Sequence, residues 1–416
     1  MNAHVDLLII GAGPAGMAAA LAAANADVKI AILDDNPLPG GQIWRDGPQA
    51  SIPAKASDLR QQIQDTPNIQ LYSGTKVIAR AKAKQLLVED AERGWLISYS
   101  TLILCTGARE LLLPFPGWTL PGVTGAGGLQ ALIKGGLPVQ DERIVISGSG
   151  PLLLASAATA KANGAQIPRI AEQASWAQVM GFAARLGQWP NKALQAFGLF
   201  DTHYRAGSHV IAALGQDRVE GVRLQTAKGI EEVACDRLAC GFGLVPNVEL
   251  GRALGYDVHQ GALTVDQWQA SPLADHYAAG ECTGFGGSEL ALVEGRIAGF
   301  AAVGLQSQAQ ALWPERQRWQ RFADQLQKTF ALDPAIRQLA SPDTLVCRCE
   351  DVAFSALAMQ PDWKQAKLAT RCGMGACQGK ICSTATQTLF GWEPPMPRPP
   401  FSPARVSTLI HLEESQ

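Results

Sequence analysis

Hydrophobic and polar positions near the start of the chain alternate between short apolar runs and a helix of small residues. Residues 5–10 and 28–33 are apolar runs, and residues 17–24 between them are mostly alanine. Short apolar runs separated by one helical stretch are typical of a βαβ unit with parallel strands. The pattern therefore predicts a strand, a turn, a helix and a second strand.

The turn after the first predicted strand reads GAGPAG over residues 11–16, and two acidic residues follow the second strand. In a dinucleotide-binding βαβ unit, such glycines allow the tight turn, the approach of a pyrophosphate and close helix packing. The free N–H groups of the helix N-terminus then face the phosphates, and an acid accepts from a ribose hydroxyl. The residues assigned to this site are Gly11, Gly13, Pro14, Ala15, Gly16 and, as alternative ribose ligands, Asp34 and Asp35.

Residues 142–173 repeat this plan in a weaker form. The second turn reads GSGPLL, with Leu153 where a third glycine is expected, and Pro168 interrupts the following strand. One hypothesis is NAD(P) binding with Glu172 as the ribose acid. The other, which we favour at this point, is a domain that binds no nicotinamide or binds a different nucleotide.

Three later segments each place a glycine in the loop that follows a predicted strand. Gly41 and Gln42 lie in the loop after the second strand, and Thr106-Gly107 ends an apolar run. Gly280-Glu281 follows another short apolar run and precedes a helix of small residues. Each is a candidate cofactor contact.

Residues 1–300 with these segments resemble the two-dinucleotide-domain flavoproteins of the disulphide-reductase type. The resemblance implies an FAD domain split by an inserted NAD-type domain. It assigns Thr106-Gly107 to the end of the first half, and Gly280-Glu281 to the ribityl and pyrophosphate region of FAD. This chain has Glu281 where aspartate is usual, and a longer acid accepts the same hydrogen bond.

The flavoprotein-like part carries no recognisable substrate chemistry. A redox cysteine pair beside the flavin is expected in disulphide reductases, but Cys235 and Cys240 flank a strand-like run, and we interpret them as core residues. The six histidines are scattered. The sequence therefore leaves the catalytic residues unknown.

Five of the nine cysteines lie in the last quarter of the chain, as Cys347, Cys349, Cys372, Cys377 and Cys382. Residues 350–371 between them have the apolar spacing of a helical hairpin, which would bring two cysteine-bearing turns together. Four thiolates on two loops hold zinc or an iron–sulfur cluster. Reduced cysteines without a metal are a third interpretation.

The segments CRCEDV and GMGACQGKIC resemble the [2Fe-2S] domain of bacterioferritin-associated ferredoxins, in the version fused to flavoprotein dehydrogenases. The resemblance implies four cluster ligands, and it leaves Cys372 as a neighbour. The implied ligands are Cys347, Cys349, Cys377 and Cys382.

The combination of both parts resembles the α (A) subunit of hetero-oligomeric amino-acid dehydrogenases, a group that includes opine oxidases, hydrogen cyanide synthase, and D-hydroxyproline and dye-linked L-proline dehydrogenases. The resemblance implies an electron-transfer subunit with FAD and a [2Fe-2S] cluster, whose flavoprotein β subunit oxidises the C–N bond. It is also compatible with an FMN at a subunit interface and a small third subunit. Two alternatives are a self-sufficient NAD(P)H-dependent flavin reductase and a non-catalytic assembly scaffold.

Composition narrows the class of protein further. The chain has 416 residues, 47% hydrophobic and 17% charged, with a formal net charge of −2, so no basic field favours nucleic acid. Its apolar runs are shorter than the roughly 20 residues that span a bilayer, and it begins without a signal-like segment, so we expect a cytoplasmic protein. The expected fold class is α/β, with two Rossmann-like domains and a small helical [2Fe-2S] domain.

The predicted domain organisation follows from these segments. It comprises a split FAD-binding domain (1–120 and 256–304), an inserted NAD(P)-type domain (121–255), a helical connector (305–340), a [2Fe-2S] domain (341–395) and a tail (396–416).

Overall fold

A computed structural model describes residues 2–413. The strands, in chain order, are β1 (Asn2–Ile10), β2 (Ile30–Leu33), β3 (Ile69–Tyr72), β4 (Lys76–Lys82), β5 (Gln85–Glu89), β6 (Gly94–Leu104), β7 (Ala108–Glu110), β8 (Val123–Gly125), β9 (Arg143–Gly148), β10 (Gln166–Glu172), β11 (Tyr204–Ala206), β12 (His209–Leu214), β13 (Gly221–Thr226), β14 (Gly229–Ala234), β15 (Arg237–Gly241), β16 (Leu244–Pro246), β17 (Val258–His259), β18 (Ala262–Leu263), β19 (His276–Ala278), β20 (Leu345–Cys347) and β21 (Val352–Ala353). The helices are α1 (Pro14–Ala23), α2 (Ala54–Asp65), α3 (Ala126–Lys134), α4 (Leu152–Ala162), α5 (Trp176–Arg185), α6 (Pro190–Leu199), α7 (Glu249–Leu254), α8 (Gly287–Ala302), α9 (Gln306–Ala311), α10 (Trp313–Thr329), α11 (Phe354–Ala358), α12 (Trp363–Thr370), α13 (Cys382–Phe390) and α14 (Val406–Glu413).

The chain forms two compact units, and both are discontinuous in sequence. The first unit comprises Met1–Arg109, Pro246–Asp324 and Met396–Gln416, and the second comprises Glu110–Val245 and Gln325–Pro395. The sequence places the first boundary at residue 120, about ten residues later, and treats residues 305–340 as a connector. In the structure the chain leaves the first unit directly after β6 and the short stretch that follows it, so residues 110–120 pack with the second unit's core.

The first unit is built on a sheet in the order β3-β2-β1-β6-β5-β4, with β19 added beside the second half of β6. Strands β1, β2, β3, β6 and β19 are parallel, whereas β4 and β5 pair antiparallel. The buried strands read as continuous apolar runs because both faces of a parallel sheet are covered. This order confirms the predicted strand–helix–strand start of the chain.

Helices α1 and α8 cross one face of this sheet at very close range. A Cβ at Gly295 would lie 2.1 Å from the carbonyl oxygen of Ala15, and one at Gly299 would lie 2.2 Å from that of Ala19. The small residues of both helices therefore let two backbones touch. This contact ties the late part of the first unit to the helix that opens the glycine turn.

The C-terminal segment belongs to the first unit rather than standing apart from it. Ala404, Leu409 and Leu412 pack on a small apolar cluster formed by β4, β5 and β6. The backbone N–H of Arg405 donates to the Glu89 carboxylate at 3.0 Å. The residues that the sequence assigns to a tail therefore cover the antiparallel edge of the sheet.

The second unit contains a parallel sheet in the order β11-β10-β9-β15-β8 and a separate antiparallel sheet β12-β13-β14. Pro168 lies in β10, which is an inner strand of the parallel sheet. The pairing of β10 with β9 is interrupted between Gln166 and Arg169, and this irregularity accommodates the residue that has no N–H to donate. A strand that the sequence only weakly predicts thus forms with a local defect.

The cysteine-bearing segment packs within the second unit. Its predicted helical hairpin is confirmed as α11 and α12, and the short strands β20 and β21 pair beside them. The indole N–H of Trp118 donates to the carbonyl of Leu345 at 2.6 Å, and the Arg348 guanidinium lies 5.2 Å from the ring centre of Trp118. The turn that carries the first two cysteines is therefore fixed to the body of this unit.

Candidate cofactor sites

The glycine turn between β1 and α1 is closed by backbone contacts that only glycine allows. A Cβ at Gly16 would lie 1.8 Å from the carbonyl oxygen of Gly11, and a Cβ at Gly11 would lie 2.2 Å from that of Cys105. Gly11 also has a φ of +107°. These two glycines hold strand, turn and helix together, as the sequence predicts.

Gly13 differs from Gly11 and Gly16 because no protein atom lies close to the position that a Cβ atom would take there. A Cβ at this position would meet only Cα of Gly41, at 3.8 Å, and the backbone is ordinary with φ −75° and ψ −173°. The open side faces away from the packed turn, at the N-terminus of α1. In a dinucleotide-binding turn, the second glycine is the position at which a pyrophosphate approaches the backbone.

The two candidate ribose acids have different surroundings. Asp34 is 6% exposed, and its Oδ2 accepts from the N–H of Ala12 at 2.5 Å, while its Oδ1 accepts from the backbone N–H of Asn36 at 2.8 Å. Through these hydrogen bonds Asp34, which directly follows the second strand, holds the glycine turn in place. Asp35 is exposed.

Thr106-Gly107 is held by Asn247, a residue that the sequence did not single out. The Thr106 hydroxyl donates to the carbonyl of Asn247 at 2.7 Å, and the Asn247 amide donates back to the carbonyl of Thr106 at 2.9 Å. The N–H of Asn247 also donates to the carbonyl of Gly107 at 2.9 Å. An Asn after a Pro-containing strand is the only local signal that could have indicated this clamp.

Gly280 and Glu281 lie between β19 and α8, in contact with the first turn. A Cβ at Gly280, whose φ is +79°, would lie 2.8 Å from Cβ of Ala15. Burial raises the pKa of the partly exposed Glu281, and the N–H of Gly287 at the start of α8 opposes that shift. The late glycine–acid pair therefore adjoins the N-terminal turn of α1.

A buried acid behind this loop was missed by sequence reasoning. Glu294 on α8 is 4% exposed, its Oε2 accepts from the N–H of Gly280 at 3.2 Å, and its Oε1 lies 3.4 Å from Nε of Arg316. The amide of Gln269 joins Arg316, at 3.1 Å, to the carbonyl of Ala278 at the end of β19. Burial raises the pKa of Glu294 to about 7, and Arg316 opposes the shift.

Gln42 and Gly41 share the loop after β2 but have different roles there. Gly41 has a φ of +60°, and a Cβ on it would lie 3.1 Å from Cα of Gly13. The Gln42 side chain is exposed and accepts from the Arg45 guanidinium at 2.8 Å. Gly41 thus adjoins the turn, whereas the Gln42 amide is directed to Arg45.

The second glycine turn, in the second unit, has a different arrangement. Glu172 is fully buried, and its carboxylate accepts from the N–H groups of Gly150 and Ala174 at 2.7 and 2.9 Å. Burial raises its pKa to about 6. The Glu172 carboxylate, which one sequence hypothesis assigns to a ribose, is thus enclosed by the turn itself.

The same turn is covered by a segment of its own unit. The Ser149 hydroxyl donates to the carbonyl of Phe330 at 3.0 Å, and a Cβ at Gly150 would lie 3.7 Å from Cβ and Cγ of Phe330. Leu153, in place of a third glycine, is fully buried in the core of this sheet. Phe330 thus contacts the second turn at Gly150, the position that corresponds to Gly13 in the first turn.

The five C-terminal cysteines lie together in the second unit. The Sγ atoms of Cys347, Cys372 and Cys382 are all within 4.8 Å of one another, and all three residues are buried. Cys349 is exposed and Cys377 is partly exposed, and the two residues are neighbours. A hydrogen bond to Cys372 and burial raise the pKa of the Cys382 thiol.

The backbone around the thiols is folded closely. A Cβ at Gly375 would lie 2.2 Å from Cβ of Cys349, and the N–H of Cys377 is bonded to Cys349. The Arg371 guanidinium donates to the Glu350 carboxylate at 2.7 Å, which joins the two cysteine-bearing turns. The indole nitrogen of Trp363 is buried in the same apolar cluster as the three buried thiols and has no hydrogen-bond partner.

This donor set has the thiolate chemistry of a zinc site or an iron–sulfur cluster. Four sulfurs on one tetrahedral zinc would be mutually separated by about 3.8 Å, given the usual Zn–S distance. Here the thiols form a buried trio and a more exposed pair. Backbone and indole N–H groups beside them can donate to sulfur, as the surroundings of iron–sulfur clusters commonly do. The other four cysteines are buried, and Cys235 and Cys240 are the core residues that the sequence predicts.

Comparison with known proteins gives the family. The sequence profile described as "Pyridine nucleotide-disulphide oxidoreductase" matches residues 5–304, which contain the first glycine turn, the second turn and the Gly280-Glu281 loop. The chain belongs to this oxidoreductase family. The predicted disulphide-reductase-like flavoprotein fold is thereby confirmed.

Relatives of this oxidoreductase match beyond the family profile. The A subunit of opine oxidase from Rhizobium meliloti is 30% identical over 98% of this chain and 87% of its own length. The HcnB subunit of hydrogen cyanide synthase from Pseudomonas protegens is 30% identical over 90% of this chain and 89% of its own length. The predicted resemblance to α (A) subunits of this type is confirmed.

A solved structure shares the fold along nearly the whole chain. The L-proline dehydrogenase from P. horikoshii superposes with a TM-score of 0.66 at 18% identity, and the match covers 98% of this chain and 80% of that one. Within residues 2–413 no helix has the length and apolar character needed to cross a bilayer. The five clustered cysteines lie outside the profile match, so the family by itself does not account for them.

Proposed function

We propose that this oxidoreductase is the electron-transfer subunit of a hetero-oligomeric enzyme that oxidises a C–N bond of an amino or imino acid. It would hold FAD at the first glycine turn and a [2Fe-2S] cluster on Cys347, Cys349, Cys377 and Cys382. A flavoprotein β subunit would oxidise the substrate. The observation that carries the proposal is that one chain keeps an open dinucleotide turn and also gathers five thiols.

The flavin assignment is supported by the contacts around the first turn. Gly13 presents its backbone at the N-terminus of α1, where free N–H groups and the helix dipole favour phosphate. Asp34 fixes the turn by accepting from Ala12, while the exposed Asp35 is free to approach a ribose hydroxyl. Thr106-Gly107 and Gly280-Glu281 are the remaining proposed contacts, and Asn247 and Glu294 hold their backbones.

The cluster assignment is supported by the thiols and their surroundings. The four proposed ligands include two from the buried trio and the more exposed pair, and the N–H of Cys377 is placed to donate to the Cys349 sulfur. When bound, FAD exchanges two electrons and the cluster one, so the two together divide a hydride equivalent into single electrons. The protein itself would bind FAD and the cluster, exclude water from the buried sulfurs, and stabilise those sulfurs through N–H hydrogen bonds.

The need for a partner is supported by the named relatives and by the surroundings of the first turn. The matching opine oxidase and hydrogen cyanide synthase chains are both named as subunits. Among the described residues beside the first turn, the acids Asp34 and Glu294 are enclosed in structural hydrogen bonds. These two acids are therefore poor candidates for a base that removes a substrate proton, and the partly exposed Glu281 is assigned to FAD in this proposal.

The alternative of an NAD(P)H-dependent flavin reductase is less well supported. It requires a nicotinamide nucleotide on the second turn, where the Glu172 carboxylate is enclosed and Phe330 lies against Gly150. The second turn therefore lacks the exposed acid that follows the first.

The test mixes the purified chain with candidate amino acids or with NADH under anaerobic conditions, alone and after co-expression with the β-subunit gene. We expect flavin bleaching and an EPR signal from the reduced cluster only for the complex with an amino or imino acid. Oxidation of an amino acid by the chain alone would overturn the relay assignment. Rapid reduction by NADH would favour the flavin reductase.

A further inference from the structure

The inference concerns Arg316 on α10, a helix that the sequence assigns to a connector and that lies beyond the family profile, which ends at residue 304. Arg316 belongs to the first unit, and its guanidinium reaches two groups that hold the segment between β19 and α8. That segment contains Gly280 and Glu281, which the proposed function assigns to FAD. It also packs against the first turn, since a Cβ on Gly280 would lie 2.8 Å from Cβ of Ala15.

The first group that Arg316 reaches is the Glu294 carboxylate. Oε1 of Glu294 lies 3.4 Å from Nε of Arg316, and Oε2 accepts from the N–H of Gly280 at 3.2 Å. The Thr283 hydroxyl donates to the carbonyl of Gly280 at 2.8 Å and lies 3.5 Å from the same Oε2. Glu294 is only 4% exposed, and a buried carboxylate is costly without a cation beside it. Arg316 therefore supports the acid that holds Gly280.

The second group is the side-chain amide of Gln269, a fully buried residue. The amide oxygen accepts from Nη2 and Nε of Arg316 at 3.1 and 3.2 Å, and the amide nitrogen donates to the carbonyl of Ala278 at 2.9 Å. The N–H of Ala278 donates back to the backbone carbonyl of Gln269 at 3.0 Å. Because Ala278 ends β19 just before Gly280, one guanidinium supports the segment at its start and again at the glycine.

Resting on the proposed function, we propose that Arg316 is a positioning residue of the flavin site, which bonds Glu294 and Gln269 at once and so holds the segment between β19 and α8 against the first turn. Its effect on FAD is indirect and passes through these two side chains. If the segment kept its flavin-binding conformation in about one molecule in ten, the apparent affinity for FAD would fall about tenfold.

A second ion pair between the same two helices supplies the matched control. Nη2 of Arg296 on α8 lies 2.6 Å from Oε2 of Glu315 on α10, and both side chains are exposed. Among the described hydrogen bonds, none joins this pair to the segment that contains Gly280. Arg316→Met and Arg296→Met therefore each remove one cation between α8 and α10, and only Arg316→Met removes it from the proposed flavin site.

The full-length chain is stripped of flavin and titrated with FAD, and its thermal unfolding is measured separately. Arg316→Lys is a second single variant, because an ammonium keeps the charge but cannot bond two groups in the fixed plane of a guanidinium. A double variant combines Arg316→Met with Glu294→Gln. Its neutral amide can still accept from Gly280 and needs no cation, so it tests whether the effect passes through Glu294.

We expect the apparent FAD affinity to fall at least about tenfold in Arg316→Met and by less in Arg316→Lys. The double variant should recover most of the loss, and Arg296→Met should stay within about twofold of the wild type. Wild-type affinity in either Arg316 variant would overturn the inference, and Arg316→Lys alone decides if Arg316→Met does not fold.

Two further results would count against the role of Arg316. An equal loss of affinity in Arg296→Met would show that FAD binding follows the packing of α8 on α10 and not the contacts of Arg316. A double variant that binds FAD as weakly as Arg316→Met would exclude the route through Glu294. By contrast, a wild-type chain that binds no FAD would refute the flavin assignment of the proposed function itself.

Discussion

Gly13 and Gly41 lie against each other across the mouth of the first turn, with a Cβ on Gly41 only 3.1 Å from Cα of Gly13. The reverse contact is loose, because a Cβ on Gly13 would meet nothing closer than 3.8 Å. The fold therefore requires glycine at position 41 for its own packing, with a φ of +60°. At position 13 the fold makes no such demand, so the absence of a side chain there leaves space for something else.

We expect Gly13→Val to fold and to lose the flavin. The backbone at Gly13 is one that a branched residue adopts, so the fold should tolerate the change, whereas the side chain would fill the space that a pyrophosphate needs. Flavin per chain after purification should fall at least about tenfold, which corresponds to about 1.4 kcal/mol. Flavin absorbance and thermal unfolding are the measurements.

The contrasting variant is Gly16→Ala, whose primary effect should be on the stability of the fold and not on the flavin site. A Cβ there would lie 1.8 Å from a carbonyl oxygen, so helix and turn must separate at a cost of about 3 kcal/mol. The unfolding temperature should fall in Gly16→Ala and stay near the wild-type value in Gly13→Val. Full flavin content in a folded Gly13→Val chain would show that the first turn is not the site.

Glu294 should make the stability of the first unit depend on pH. Its folded-state pKa of about 7 lies above the ordinary value of 4.5, so the folded chain holds the proton more tightly than the unfolded chain. The stability contributed by the protonated acid is complete below about pH 4.5 and is lost as the pH rises through about 7. The slope from this group is at most about 1.4 kcal/mol per pH unit.

The variant Glu294→Gln isolates this effect. Its amide oxygen can still accept from Gly280, while the titrating proton is gone, and the groups facing it are the Arg316 guanidinium and the thiols of Cys105 and Cys282. We expect wild type and variant to unfold at similar temperatures near pH 5 and the wild type to lose more stability toward pH 8. Parallel curves over this range would contradict the assignment.

Glu110 should stabilise the second unit by capping α3. Both of its carboxylate oxygens accept backbone N–H groups at the start of this helix, from Gly127 and Gly128, each at 2.7 Å. Glu110→Ala leaves two half-buried donors without this partner and should cost about 1 kcal/mol in the free energy of unfolding, and Glu110→Gln should cost less. Urea unfolding gives the values, with the exposed Glu232→Ala as a control expected to change little, within about 0.5 kcal/mol.

The ligand assignment predicts which cysteines hold the cluster. We expect about two irons and two sulfides per chain, and the loss of both in Cys377→Ser and Cys382→Ser, because each removes one of four thiolates. Cys235→Ser, a buried thiol of the same unit outside the group, should keep them. If Cys382→Ser kept its iron and Cys372→Ser lost it, Cys372 would be a cluster ligand in place of Cys382.

Much of the fold follows from local patterns in the sequence. The strand, turn and helix at the start of the chain form as predicted, since apolar runs of this length and a glycine turn specify them within some thirty residues. The hairpin of α11 and α12 was likewise predictable from its spacing and its Pro-Asp break. The inner position of β10 was not predictable, because a proline in a strand is tolerated only if the pairing opens beside it.

The sequence by itself determined the fold class, the first glycine turn and the set of cysteines, because each depends on residue types at short, regular spacing. Only the tertiary structure decided that Glu172 is enclosed by its own turn, that Glu294 supports Gly280, and that Cys372 joins Cys347 and Cys382. Each of these depends on where a side chain ends after the backbone has folded, and on which atoms of distant segments then lie within hydrogen-bond reach. Spacing along the chain carries no record of those distances.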